Sequence, residues 1–218
     1  MAAYKLHCFG QSGNAYKIAL YLNCAGLDWE PVFVDFMNGA TRDLAWRAMN
    51  NPMGEVPVLE VDGRRLTQSG AILTYLAEET GKFAPEKPED KYEALRWVLF
   101  DNHKFSSYFA THRFLNAFPP TAPDPAVMAF LNSRAVAAFK VVDKHLDDKH
   151  FMLGENPSIA DFSLAGYMFY PTEETGIDVK AEFPCVGAWI DRMSKLPGWK
   201  DPYDLMPGER IPPQDRSS

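Results

Sequence analysis

Asn51-Pro52-Met53-Gly54-Glu55-Val56-Pro57-Val58-Leu59-Glu60-Val61-Asp62-Gly63-Arg64-Arg65-Leu66-Thr67-Gln68-Ser69-Gly70-Ala71-Ile72 is the stretch on which the reading of the fold rests. Val56 to Val61 is β-rich, and Pro57 stands at its start, where a strand tolerates proline. Asp62-Gly63 is a two-residue hairpin signal, so a second strand follows immediately. Ser69 then opens a helix in which Ile72, Tyr75 and Leu76 recur at helical spacing. Working back, Tyr4, Leu6 and Cys8 alternate as in a strand, and Gly10-Gln11-Ser12-Gly13 breaks it. From Asn14 the period becomes helical: Ala15, Ile18, Ala19 and Leu22 share a face, and Gly26 is placed to stop the helix. Pro31 to Phe36 reads as a short strand, and Thr41 to Met49 as a short helix capped by Thr41. The predicted order over residues 1–81 is strand–helix–strand–helix–strand–strand–helix.

Working forward, residues 82–90 are polar, carry two prolines and read as a linker. Beyond them the chain is helical. One helix is expected from Tyr92 to about Phe118, where Pro119-Pro120 ends it. Leu131, Ala135, Ala138, Val142 and Leu146 stripe a second. Ser158-Ile159-Ala160-Asp161 has the form of a capping box, with Asp in place of Glu, opening a third through Tyr170. A fourth lies near Glu182 to Leu196, and from Pro197 the chain reads as an extended tail ending in Ser217-Ser218. The expected organisation is a small α/β domain (1–81), a linker (82–90) and an all-helical domain with its tail (91–218).

Composition bounds the function. With 46% hydrophobic residues the chain can fill a core, which excludes a wholly disordered protein. Its 22 Lys+Arg against 29 Asp+Glu give a net charge of -7, which argues against general affinity for nucleic acid or an anionic membrane. Cys8, Cys24 and Cys185 are odd in number and far apart, so neither a disulfide framework nor a metal site is expected, and a reducing cytoplasm is the natural compartment. The N-terminal residues lack the pattern of a secretory signal. No apolar run approaches the ~20 residues that span a bilayer.

Three local features carry chemistry. Gly10-Gln11-Ser12-Gly13-Asn14 joins a strand end to a helix start, where unbonded N–H groups and the helix dipole attract an anion. Ser12 and Asn14 serve equally as helix caps there. At Val56-Pro57, a cis bond would leave the Val56 N–H and C=O open to an extended peptide, whereas a trans edge proline would not. Gln68-Ser69-Gly70 offers a second helix start with a hydroxyl suited to a carboxylate, or simply a cap.

Taken together, these segments resemble the cytosolic glutathione transferases. Asn51 to Leu59 is similar to the family's Asn-Pro-x-Gly-Lys-Val-Pro-x-Leu run, and Gln68-Ser69-Gly70-Ala71-Ile72 to its Glu/Gln-Ser-x-Ala-Ile motif. Ser158 to Phe162 resembles the capping box of its helical domain, and Leu196 to Lys200 with Pro202-Tyr203 resembles bacterial members. The resemblance implies a thioredoxin-like N-terminal domain (βαβαββα) and an all-α C-terminal domain. It implies a cytoplasmic, homodimeric, detoxifying enzyme that takes glutathione as co-substrate, with no metal, and conjugates it to small hydrophobic electrophiles. A non-catalytic glutathione carrier or interaction domain, and a glutathione-dependent peroxidase or isomerase, are the alternatives on the same fold.

Carried over by position, the resemblance gives Ser12 the hydrogen bond to the glutathione sulfur, with Asn14 as its rival. Val56 beside a cis Pro57 binds the cysteinyl backbone, and Gln68 and Ser69 hold the γ-glutamyl end. Glu55 departs from the pattern: a carboxylate there repels the glycyl carboxylate, which passes that task to Arg42 or to a solvent-screened arrangement. Cys8 precedes the loop, which disfavours the cysteine-dependent classes. Phe105, Tyr108, Phe109, His112 and Arg113 lie at helical spacing and are read as an electrophile-binding wall, or equally as core or subunit interface. Asp101 is assigned by likeness to the partner subunit's γ-glutamyl amine, or by default to a solvated face.

Overall fold

A computed structural model describes residues 2–215, so Met1 and the expected end of the tail at Ser217-Ser218 lie outside the described residues. The chain divides into two units, Met1–Ala84 with Leu196–Arg210, and Pro85–Lys195 with Ile211–Ser218.

The first unit runs β1 (Tyr4–Cys8), α1 (Gly13–Cys24), β2 (Trp29–Phe33), α2 (Leu44–Met49), β3 (Val58–Val61), β4 (Arg64–Thr67) and α3 (Ser69–Thr80). Its sheet has the order β2-β1-β3-β4, with β1 parallel to β2 and the other two pairings antiparallel. Asp62 and Gly63 both take positive φ (50° and 73°), as a two-residue hairpin turn with right-handed twist requires. Leu6, Cys8 and Leu59 lie on one face of the sheet and Val58 on the other, and all four are fully buried, so the sheet is covered on both faces here. The cap of α2 is Asp43, whose carboxylate accepts from the Ala45 N–H at 2.6 Å; Thr41, expected in that place, is buried in a preceding 3-10 turn.

The second unit is helical: α4 (Lys91–Phe100), α5 (Ser106–Ala117), α6 (Pro125–His145), α7 (Ile159–Leu164), α8 (Thr172–Thr175), α9 (Val179–Glu182) and α10 (Pro184–Met193). The helix expected as one from Tyr92 to Phe118 is α4 and α5 joined by a π-helical turn, Asp101–Phe105. Asp101 is fully buried there, and its two oxygens accept from the Ser106 and Ser163 hydroxyls, each at 2.6 Å. It is a structural group of this unit, not the solvated or ligand-facing carboxylate anticipated. By length and composition α6 is apolar enough to cross a membrane, against expectation. Arg134 and Lys140 interrupt it, however, and Leu131, Ala135, Ala138, Phe139 and Val142 are buried where it packs on α5 and α10. That is the pattern of an amphipathic helix packed along one face.

The capping box at α7 is present in full, and Asp161 does more than cap. Its Oδ2 accepts from the Ser158 N–H (2.8 Å) and hydroxyl (3.0 Å), and its Oδ1 from the Met152 N–H and Trp189 Nε1, both at 2.9 Å. One buried carboxylate thereby ties a loop, a helix start and α10 together.

The tail departs most from the sequence reading. Residues 196–210 are not an extended appendage of the helical unit but part of the first, with a short helix, α11 (Pro202–Leu205). They pack on α1 at Tyr16, while Tyr21 of the same helix meets Thr80, Lys82 and Phe83, and both tyrosines are fully buried. The Tyr16 hydroxyl donates to the Lys200 carbonyl at 2.8 Å, and Asn23 Nδ2 donates to the Gly198 carbonyl. A helix apolar on all sides needs cover on all sides.

Asp161→Ala is expected to lower the unfolding free energy by about 3–5 kcal/mol, because several buried donors lose their acceptor at once. Urea denaturation checks it, and Asp161→Asn, which keeps one carbonyl oxygen, should cost less.

Candidate functional site

Strand pairing brings the three expected features to one end of the sheet. His7 faces Val58 across the β1–β3 pair, and Val58 faces Thr67 across the β3–β4 hairpin. The residues after β1, before β3 and after β4 therefore emerge side by side. These hold Gly10 to Asn14, Glu55 to Pro57, and Gln68 to Gly70. The carboxyl end of β1 is where open α/β sheets commonly take their ligands.

Ser12 is the N-cap of α1, and its Oγ accepts from the Ala15 N–H at 3.2 Å. That bond uses a lone pair and leaves the hydroxyl proton free to donate. The first turn carries no acidic residue to oppose the helix dipole. Asn14, expected as the rival donor, has its side-chain Oδ1 buried without a hydrogen-bond partner. Both residues stand at the same helix start. The cysteines offer no competing nucleophile here: burial pushes the Cys8 and Cys24 thiols up to about 12, far from ionisation at neutral pH.

The tail fixes this loop. Gly10 N–H donates to the Pro207 carbonyl at 2.8 Å, and Gln11 Nε2 donates to the Glu209 carbonyl at 2.7 Å. A Cβ on Gly10 would stand 3.1 Å from the Tyr203 ring, so a larger residue there would have to push that ring aside. From the other side Phe9 stacks on Phe36 with ring centroids 4.9 Å apart. Sequence reasoning missed Gln11 and the 207–209 strap. The one available signal was the pair of apolar faces on α1, which demanded a cover.

The Val56–Pro57 bond is cis. Val56 is half-buried, and neither its N–H nor its C=O bonds to another described residue. The loop before it is rigidly held. Asn51, 1% exposed, donates through Nδ2 to the Glu55 carbonyl (2.9 Å) and accepts at Oδ1 from the Met53 N–H (3.0 Å). Gly54, at φ 70°, lies so close to Thr41 that a Cβ would come within 2.7 Å of its carbonyl oxygen.

Gln68 precedes α3 at φ 68°, ψ 113°, a conformation rare for a residue with a Cβ and commonest where a site demands it. Its Nε2 donates to Glu55 Oε2 at 2.9 Å, so residues 55 and 68, distant in sequence, are in contact. Ser69 is buried in the first turn of α3. Arg42 ends the 3-10 turn, exposed, its stem against Gly39, and it makes no ion pair among the described residues.

The five residues read as an electrophile wall fare differently. Phe105 and Phe109 are buried edge-on against Phe139, at 4.8 and 5.0 Å between centroids. Arg113 is buried against Glu174 (2.6 Å), with its guanidinium 3.7 Å from the Tyr170 ring centroid. His112 Nδ1 lies 3.0 Å from the Thr175 carbonyl, and burial holds its pKa below the usual range, so it is neutral at pH 7. These four are core groups of the helical unit. Tyr108 alone is partly exposed, its ring edge toward Phe130.

Comparison with known proteins places this geometry. Residues 3–78 match the model of the glutathione S-transferase N-terminal domain, and residues 108–197 that of the glutathione S-transferase C-terminal domain. A glutathione S-transferase of Pseudomonas fluorescens, known from its crystal structure, is 33% identical with a TM-score of 0.84, over 93% of this chain and 100% of that one. The maleylacetoacetate isomerase of Rhizobium meliloti is 33% identical over 75% of this chain and 79% of its own. A glutathione transferase homologue of Lodderomyces elongisporus, solved with two glutathione molecules per subunit, is 25% identical with a TM-score of 0.83, over 95% of this chain and 100% of that one.

If Arg113 and Glu174 serve the core, Glu174→Ala should cost about 3–5 kcal/mol by leaving a buried guanidinium unpaired. Tyr108→Ala should cost about 1 kcal/mol or less. Chemical denaturation compares the two, and a small loss for Glu174→Ala would return Arg113 to the ligand-facing residues.

Proposed function

This chain belongs to the glutathione S-transferase family, and on that footing we propose that it binds glutathione at the shared end of β1, β3 and α3 and activates its thiol for transfer to a small hydrophobic electrophile. The observation that carries the reading is the convergence itself. An open main-chain N–H and C=O at Val56 stand between the starts of two twelve-residue helices, α1 and α3. A peptide with a thiol in its middle and a carboxylate at each end fits that arrangement.

Val56 pairs with the cysteinyl main chain as a strand would, next to Pro57. The γ-glutamyl carboxylate takes the N-terminus of α3 with Ser69, beside Gln68. Arg42, exposed and without an ion pair, is the candidate for the glycyl carboxylate. The sulfur then lies at the start of α1. A free thiol of this type has a pKa of about 8.5, so only a small fraction is thiolate at neutral pH. A drop of about two units needs roughly 2.7 kcal/mol in favour of the anion. Supplying it are the Ser12 O–H, polarised by the bond its oxygen accepts, the α1 dipole, and the Asn14 amide turned to present Nδ2. Ser12 donates and never loses its proton. Of the wall residues, Tyr108 retains the electrophile-facing role, since it is open to solvent.

Likeness at 33% identity to a maleylacetoacetate isomerase favours one second reading, in which the same thiolate adds to a substrate and is released again. The homodimer is proposed as well. Tyr92, Leu95 and Leu99 line one side of α4 at helical spacing, 78%, 40% and 60% exposed, an apolar stripe suited to a second copy. A cytoplasmic location accords with three free cysteines.

Ultraviolet titration of the glutathione complex tests the activation. The wild-type thiolate band should appear about two pH units below that of free glutathione. Ser12→Ala should raise the bound thiol pKa by about one unit and lower kcat/KM roughly tenfold. Ser12→Gly, which is tolerated as the cap of α1 but has no proton to give, should do no better, and this separates the sulfur bond from capping. Titration unaltered in both Ser12→Ala and Asn14→Ala would falsify the assignment. Assay with conjugation, peroxide and isomerisation substrates then decides among the reactions, and binding with no turnover on any would leave a carrier.

A further inference from the structure

We propose that Glu55 receives the free α-ammonium of the γ-glutamyl end, which makes this site selective for peptides whose amino terminus is unblocked. The proposal rests on the glutathione-binding reading above and names the group that sets its charge preference.

The argument begins with where the side chain is held. The Glu55 main chain is anchored by buried Asn51, which donates to its carbonyl at 2.9 Å, and its side chain by Gln68, which donates to Oε2 at 2.9 Å. Gln68 is itself the residue leading into α3. The exposed carboxylate thus meets the residue that leads into α3.

The second step is its charge balance. Glu55 is exposed and forms no ion pair among the described residues. The nearby arginines Arg47, whose guanidinium lies against Gly54, and Arg65 form no ion pair with it. Arg47 donates to the Thr41 carbonyl at 2.8 Å, and Arg65 to Glu60 at 3.1 Å and the Met49 carbonyl at 2.9 Å. A carboxylate has about four acceptor positions, and Gln68 occupies one. What remains is a carboxylate without an ion pair among the described residues and with acceptor capacity to spare.

The third step is the neighbour. The start of α3, a twelve-residue helix with no acidic residue in its first turn, favours an anion through the helix dipole. An anion-favouring helix start beside a cation-favouring carboxylate is complementary to a zwitterion carrying both charges on one carbon. The γ-glutamyl end of glutathione is such a head group, and the glycyl end, a carboxylate alone, is not. Glu55 therefore replaces repulsion of the glycyl end, expected from sequence, with attraction of the opposite end, and so also fixes the direction in which the peptide lies. The acid sits on residue 55 and the neutral amide on residue 68, so the hydrogen bond between them persists while the ammonium is bound.

Calorimetric binding of two peptides tests this in the full-length protein: glutathione, and its desamino analogue glutaryl-cysteinyl-glycine, which lacks only the ammonium. Wild-type protein should bind glutathione at least ~10-fold more tightly, a difference of about 1.4 kcal/mol. Glu55→Gln keeps the shape and an acceptor for Gln68, and exposure of the side chain means no core is disturbed. It should weaken glutathione about tenfold and leave the analogue unchanged or slightly tighter, erasing the discrimination. Equal weakening of both peptides would assign Glu55 a merely structural role and overturn the proposal. Tighter binding of both by Glu55→Gln would overturn it in favour of repulsion of the glycyl end. Failure of wild-type protein to bind either peptide would overturn the glutathione reading, and the Glu55 proposal with it.

Discussion

Val58 is the residue through which the site is assembled. It pairs with His7 on one side and Thr67 on the other, and its own side chain is fully buried. Leu6 pairs with Leu59 and His7 with Val58 in one register, in which Leu59 is fully buried on one face and Val58 on the other. In that register three loops that carry polar groups end together. The helix start at Ser12, the open main chain at Val56 and the strained residue Gln68 are neighbours because of hydrogen bonds made elsewhere. Function here follows from the ladder more than from any one side chain.

Around that frame the chain holds its loops by main-chain contacts. Gly10 and Gln11 are bonded to carbonyls of 207 and 209, Asn51 braces the turn before Val56, and Gly54 sits where no side chain fits. Pre-organisation of this kind lowers the ordering cost that a flexible peptide ligand would otherwise impose on its site. The segment 196–210 also belongs to the first unit, where its carbonyls at 198 and 200 accept from Asn23 and Tyr16 of α1.

The helical unit keeps its charges for cohesion. Asp101, Asp161 and the Arg113–Glu174 pair are all buried, each meeting several donors or an opposite charge. Burial of such groups is tolerable only when their partners are complete. The aromatic residues between them, Phe105, Phe109 and Phe139, pack edge to face as core rings do.

Residue order alone determined the alternation of strands and helices up to Gly81, the Asp62-Gly63 turn, the capping box at Ser158 and the three loops worth examining. Each of these is local: a turn needs positive φ, a cap needs a short polar side chain, and a strand needs alternation. Ser12, Asn14, Val56, Gln68 and Ser69 could be named for that reason. Helical spacing also grouped Phe105, Tyr108, Phe109, His112 and Arg113, yet it could not say what covers that face, and Phe139, Tyr170 and Glu174 cover most of it. Nor could spacing place the tail on α1 or the Glu55 carboxylate on Gln68, because both depend on contacts between residues far apart in the chain. Periodicity marks the side of an element that must be hidden or bonded, and only the packed chain supplies the partner.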